Sequence, residues 1–263
     1  MPVEIILDPF IIFPSIISGV IVGFSLGLIG GGGSVLAVPL LLYVVGVKDT
    51  HLAIGTSALA VGIIAGISIL NHKKLGNIQI KKGLLFAIPG IVGTLLGAQL
   101  GLWTPSENLL LLFAGFMAVV GFLILRKNTS KHEVTNGNSN LILINKNVSL
   151  SGFSVGMLAG YFGIGGGFLI VPTIMYSGGL NIIQAIGTSL ISVSSFGITI
   201  ATRYFVAGQV DLFVALLLII GGVTGGYFGA KTSEKIPKEK LSKVFAVLLF
   251  TVATYIVIRT MAM

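Results

Sequence analysis

The sequence predicts an all-α polytopic membrane protein made of two inverted-topology repeats, each of about five segments with a glycine-broken helix and a short half-helix. Three observations carry this. The 263 residues are 54% hydrophobic and only 9% charged, where a soluble domain carries roughly 25% charged residues. Several apolar runs reach the ~18–20 residues that cross a bilayer as helix. Two glycine runs, Gly30-Gly31-Gly32-Gly33 and Gly163-Ile164-Gly165-Gly166-Gly167, each lead within six residues to a proline, Pro39 and Pro172.

The duplication extends well beyond the glycines. Ala53-Ile54-Gly55-Thr56-Ser57 recurs as Ala185-Ile186-Gly187-Thr188-Ser189. Gly76-Asn77-Ile78-Gln79 recurs as Gly208-Gln209-Val210-Asp211, and Gly90, Gly93, Gly97 and Ala98 recur as Gly222, Gly225, Gly229 and Ala230. The offset is 132–133 residues throughout (Gly30 to Gly163 is 133, Gly55 to Gly187 is 132). This divides the chain into a first membrane repeat, 1–126, a polar cytoplasmic linker, 127–147, and a second, inverted repeat, 148–263. The linker reading rests on its Asn, Ser, Thr and Lys content.

In chain order, the first repeat reads as apolar segments at about 10–29, 34–47, 51–70, 82–102 and 107–125. The second reads as segments at about 148–163, 167–179, 182–205, 212–230 and 241–259. The second segment of each half is only about 20 Å long at 1.5 Å per residue, short for a ~30 Å crossing. It reads as a half-helix starting at the glycine break near mid-membrane.

Loop charges set the orientation. Lys73, Lys74, Lys81 and Lys82 place the third-to-fourth connection of the first half in the cytoplasm, and Arg126, Lys127, Lys131 and Lys146 do the same for the linker. In the second half the basic loop has moved one connection along, to Lys231, Lys235, Lys238, Lys240 and Lys243. The 203–211 connection, with one basic residue, is then outside. The halves are expected upside down relative to each other, in a multi-pass cell-membrane protein with both termini extracytoplasmic. Inverted repeats with broken helices are the architecture of many secondary transporters.

The breaks are the leading candidate site. A helix start leaves N–H groups unpaired and carries about half a positive charge, so two such starts facing one cavity suit an anion. Close helix packing is the competing explanation for glycine in a membrane helix. The candidate substrate-binding residues are Gly31, Gly32, Gly33 and Ser34 in the first copy, and Gly165, Gly166 and Gly167 in the second. Thr56, Ser57, Thr188 and Ser189 add hydroxyls that face a cavity or bond the preceding helical turn. Arg203 offers a guanidinium fork to an anion or snorkels to the interface. His51 and Gln184 begin the third segments, where they cap a helix or gate an entrance. The glycine series of the fourth segments reads as a packing face.

Other classes are disfavoured by what the sequence lacks. All eight acidic residues fall at termini, segment ends or loops, so no carboxylate is placed for an intramembrane proton relay, cation site or metal site. No cysteine is present, which removes thiol catalysis and cysteine-ligated metals. No cofactor and no metal is expected. The net charge of +8 is a loop-orientation signal rather than a nucleic-acid footprint. With Glu4 and Asp8 near its start, the amino-terminal segment does not read as a signal peptide.

Two copies of a glycine run and proline, each followed by an Ile-Gly-Thr-Ser block and a Gly-Gly-Gly-Ala helix, resemble the TauE/SafE family of sulfite and organosulfonate exporters, within the 4-toluene sulfonate uptake permease superfamily. The resemblance runs from about Ser15 to Arg259. It implies a permease, not an enzyme, that exports sulfite, sulfoacetate or other organosulfonates. Its expected partners are a small anionic substrate and the lipid bilayer, with a homodimer as a candidate assembly and no nucleic acid. An anion channel, or a transporter of a carboxylate or chloride, is the alternative; a membrane-embedded enzyme would need catalytic groups at depth that the sequence does not offer.

Overall fold

The computed structural model describes residues 9–74, 76–126, 141–165, 167–233, 250–251, 253–256 and 258. Among these, the secondary structure is helical throughout: α1 (Pro9–Ile29), a 3-10 segment (Gly30–Leu36), α2 (Ala37–Leu40), a π-helical turn (Leu41–Val45), α3 (Thr50–Lys74), α4 (Ile80–Trp103), α5 (Ser106–Arg126), α6 (Leu141–Phe162), α7 (Gly167–Gly178), α8 (Ile182–Val206) and α9 (Leu212–Ser233). Residues 250–251, 253–256 and 258 are also helical. Five stretches are long and apolar enough to cross a bilayer: Phe10–Ile29, Thr50–Leu70, Ile80–Trp103, Ile183–Val206 and Leu212–Thr232.

Polarity is distributed for lipid rather than water. Phe10, Phe13, Ile88, Trp103 and Phe228 are exposed, whereas Ser18, Ser34, Thr56, Ser57, Thr188, Ser189 and Ser192 are buried. Hydrocarbon is a good solvent for the first group and a poor one for the second, so the hydroxyls are turned inward.

The packing order is α1, α9, α3, α8, α4, α6. The fourth-segment glycines set its outer pairs. In α4, a Cβ on Gly93 or Gly97 would strike the carbonyl oxygens of Phe153 and Met157 in α6, and one on Gly101 would lie 2.6 Å from Tyr161 O. In α9, Gly225 and Gly229 meet Val20 O and Phe24 O of α1 in the same way. Backbone touches backbone along both parallel pairs, as the packing-face reading expects. At the centre, α3 and α8 cross where Gly62 meets Gly197. Gly55 lies by Tyr204 and Gly66 by Ser194, so these two helices, which carry the matching Gly-Thr-Ser motifs, run antiparallel.

Three expectations change. First, α6 begins at Leu141, so 141–147 is helix rather than linker; the apolar run Leu141-Ile142-Leu143-Ile144 extends the span backwards. Residues 127–140, the rest of the predicted linker, lie outside the described residues. So do 234–249, which hold the lysines from Lys235 to Lys243 and the start of the predicted last segment. Second, the predicted 34–47 half-helix is a composite of 3-10, α and π windings starting at Gly30 and ending on Gly46 (φ +85°). Third, α1 spans 21 residues before its break, about 31 Å, so the glycine run begins at the end of a full-length helix and not at mid-membrane.

Candidate substrate site

The first break opens with Gly30 at φ +73°, a left-handed conformation that glycine takes without steric cost. Gly30 packs by Ser189 and Ile186, in the second turn of α8. Gly31 N–H donates to Ser189 Oγ over 3.3 Å, and the Ser34 hydroxyl donates to Gly31 O over 2.8 Å. That second bond joins residues three apart and closes a turn of the 3-10 winding. Gly33 is enclosed by its own neighbour α1: a Cβ there would strike Leu26 N and the Ser25 backbone.

The second break has two left-handed glycines, Gly163 (φ +69°) and Gly165 (φ +61°). Gly163 presses on Ile54 in α3, while Gly165 lies within 3.8 Å of both Val61 and Val193, beside the α3–α8 crossing. The turn therefore runs from beside the start of α3 toward its middle. From there Gly167 starts α7, a helix of 12 residues. Gly166 lies outside the described residues. The 3-10 segment, which holds the first glycine run, packs directly against α7, which the second run starts.

The four motif hydroxyls sit deep but are engaged. Thr56 Oγ1 accepts Asp211 N–H over 2.9 Å, and Thr188 Oγ1 accepts Gln79 N–H over 3.0 Å. Each threonine thus pins the connection of the opposite half. Ser57 donates to Ile54 O and Ser189 to Ile186 O, over 3.0 and 2.7 Å. A serine whose only proton goes to a carbonyl presents lone pairs to a ligand, whereas Thr56 and Thr188, which accept, keep an O–H to donate. Arg203 stands apart, in the last turn of α8, where its Nε donates to Gln99 Oε1 over 2.7 Å. His51 and Gln184 are capped rather than capping: their N–H groups bond Asp49 Oδ1 and Asn181 Oδ1, over 2.8 and 2.9 Å.

Residues 15–256 match the family model described as Sulfite exporter TauE/SafE. The chain belongs to the TauE/SafE family. It is 40% identical over 247 residues to a probable membrane transporter protein of Xylella fastidiosa (strain Temecula1), covering 93% of this chain and 94% of that one. The probable membrane transporter protein YdhB of Bacillus subtilis is 30% identical over 84% of this chain and 90% of its own length. The corresponding protein MJ0441 of Methanocaldococcus jannaschii is 27% identical over 84% and 88%. No solved structure matches the chain. This TauE/SafE protein is a multi-pass membrane transporter.

One feature of the transporter was not singled out from its sequence. A cleft of ≈ 560 Å³ opens between α6 and α7, lined by Asn147, Leu150, Ser151, Ser154, Val155, Thr173, Tyr176 and Ser177. Its hydroxyls also donate to carbonyls one turn back, as Ser154 does to Leu150 O and Ser177 to Thr173 O. The three- and four-residue spacing of Ser151, Ser154, Thr173 and Ser177 is the signal that would have found it. Tyr204 is fully buried against the start of α3, with no hydrogen-bond partner for its hydroxyl among the described residues. No motif marks that residue.

Proposed function

We propose that this transporter exports small sulfur-containing anions, such as sulfite, sulfoacetate or other organosulfonates, across the cell membrane by alternating access. The central anion site lies where the start of α7 meets the 3-10 segment, beside the α3–α8 crossing. The observation that carries this reading is the convergence of both glycine runs there. At that point the N–H groups of Gly167 and Phe168, in the first turn of a 12-residue helix, are available donors, and a helix start favours negative charge. The sulfur chemistry comes from the family description; the glycines alone suit any small anion.

The antiparallel packing of α3 on α8 supports an inverted relation between the halves, and with it a mechanism in which the halves exchange roles as gates. Basic loops on the side of Lys73 and Lys231 fit a cytoplasmic face there. A negative-inside potential then drives an anion outward by ~2.3 kcal/mol per charge per 100 mV, so export needs no proton relay. The test is radiolabelled sulfite and sulfoacetate flux in proteoliposomes, with chloride and acetate as controls. Saturable exchange, stimulated by the same anion on the far side, is expected. Conduction without counter-transport makes the protein a channel, and no sulfite or sulfonate flux removes the substrate reading.

A further inference from the structure

The end of the molecule that holds the 203–211 connection carries a polar cluster separate from the glycine runs. Tyr204 is fully buried, and its hydroxyl has no hydrogen-bond partner among the described residues. A Cβ on Gly101 would lie 3.2 Å from that hydroxyl, so the group sits by the last turn of α4. Two residues earlier in α4, Gln99 holds Arg203 by its Nε, which fixes the guanidinium plane. The terminal guanidinium nitrogens have no protein partner among the described residues. His51 presents its ring 6.2 Å from that of Tyr204, and its Nδ1 is also buried without a partner. The nearby carboxylates, Asp49 and Asp211, each spend an oxygen on helix N–H groups, at His51 and Phe213.

An unpartnered hydroxyl sealed from solvent is costly unless something else bonds it. Three polar groups gather at this end: a phenol O–H, the guanidinium of the preceding residue and, on a ring 6.2 Å from the phenol ring, an imidazole nitrogen. Groups of this kind bond the oxygens of a small oxyanion. The cluster also adjoins the second glycine run, because Tyr204 packs on Gly55, next to the Ile54 that Gly163 touches. From Gly163 the turn runs to Gly165 at the centre.

We propose that Tyr204, Arg203 and His51 form an outer subsite that receives the transported anion after the central site releases it. This rests on the exporter reading above. Tyr204 makes the hydrogen bond, Arg203 supplies charge, and Gln99 positions Arg203.

The experiment uses the full-length transporter in vesicles of one orientation, with sulfite and sulfoacetate as probes. Tyr204→Phe keeps the ring and removes the hydroxyl. The expected result is an apparent affinity about tenfold weaker from the outer side, an unchanged affinity from the inner side, and an apo melting temperature equal to or above wild type. Arg203→Gln should weaken the same outer affinity. A lowered apo melting temperature or failure of Tyr204→Phe to fold means that the hydroxyl is a structural bond, and overturns the proposal. So does an unchanged outer affinity. If the wild type moves neither probe, the exporter reading itself fails and takes the subsite with it. The wild-type control therefore separates the two failures.

Discussion

The two glycine breaks descend from one motif, yet they are wound differently, and two residues account for this. Ser34 stands where the second copy has Gly167, and Gly31 stands where it has Ile164. In the first copy the Ser34 hydroxyl ties back to Gly31 O and the Gly31 amide is taken by Ser189, so the chain stays wound as 3-10. In the second copy Gly167 has no hydroxyl to tie the turn back, and the chain unwinds through two left-handed glycines before α7 begins. One break is a filled joint and the other presents the start of a helix. A symmetric sequence motif has produced two differently wound breaks.

The largest expected effect tests the filled joint. Gly33→Val should cost more than about 3 kcal/mol, because its Cβ meets main-chain atoms of Leu26 and Ser25 that cannot move without unpacking α1. Monodisperse yield and melting temperature in detergent should collapse together. A well-folded Gly33→Val protein that merely fails to bind would make the first break a ligand site after all.

Gly165→Ala tests the other side of the comparison. The nearest atom to its Cβ is Val193 Cγ1 at 3.7 Å, so there is room, and the cost is the left-handed backbone, roughly 1–2 kcal/mol. The protein should fold, with sulfite or sulfoacetate binding weakened at least about tenfold as the methyl group crowds the amides. Thermal shift with and without anion reads both effects. Unchanged affinity would move the anion away from the start of α7.

The Gly-Thr-Ser motifs sharpen the contrast further. Ser189→Ala leaves the buried Gly31 amide without its acceptor, worth about 1–3 kcal/mol. Ser57→Ala removes only a bond to the preceding turn, at Ile54 O, and should cost less than about 1 kcal/mol. Equal losses in melting temperature would show that the two breaks are held alike. Thr56→Val and Thr188→Val, by contrast, should match each other, since each accepts one amide from the opposite half.

These assignments mark where sequence reading works. The helix packing was legible because Gly90, Gly93 and Gly97 repeat as Gly222, Gly225 and Gly229, a spacing that only a close backbone contact requires. The glycine positions were legible for the same reason: a left-handed φ at Gly30 and Gly163 leaves little choice of residue. The winding between them was not, because four consecutive glycines carry no side-chain periodicity to read. The threonines were placed at the right depth, but their partners Asp211 and Gln79 lie 155 and 109 residues away. Whether a hydroxyl serves a ligand or another segment is decided by that distant partner, which no local pattern names. The environment of Tyr204 was not legible for a related reason: its significance is a bond it does not make.

The smallest expected effect lies at the far end of the two short helices. In the second copy, Lys82 Nζ donates to Gly178 O over 2.6 Å, placing a cation on the C-terminus of α7. In the first copy the equivalent of Lys82 is Val214, 132 residues on, and the short helical segment closes instead on left-handed Gly46, with Val47 N–H bonding Leu41 O over 3.0 Å. One end is held by a side chain reaching across from α4, the other by its own backbone. Lys82→Met keeps most of the apolar stem and removes the charge-assisted bond, so stability should fall by only about 0.5–1 kcal/mol. The α7 end should nevertheless loosen selectively, seen as faster amide exchange at residues 174–178 with residues 41–47 unchanged. Exchange that rises equally at both ends would mean that Lys82 supports the whole fold, and that the two short helices are not held independently.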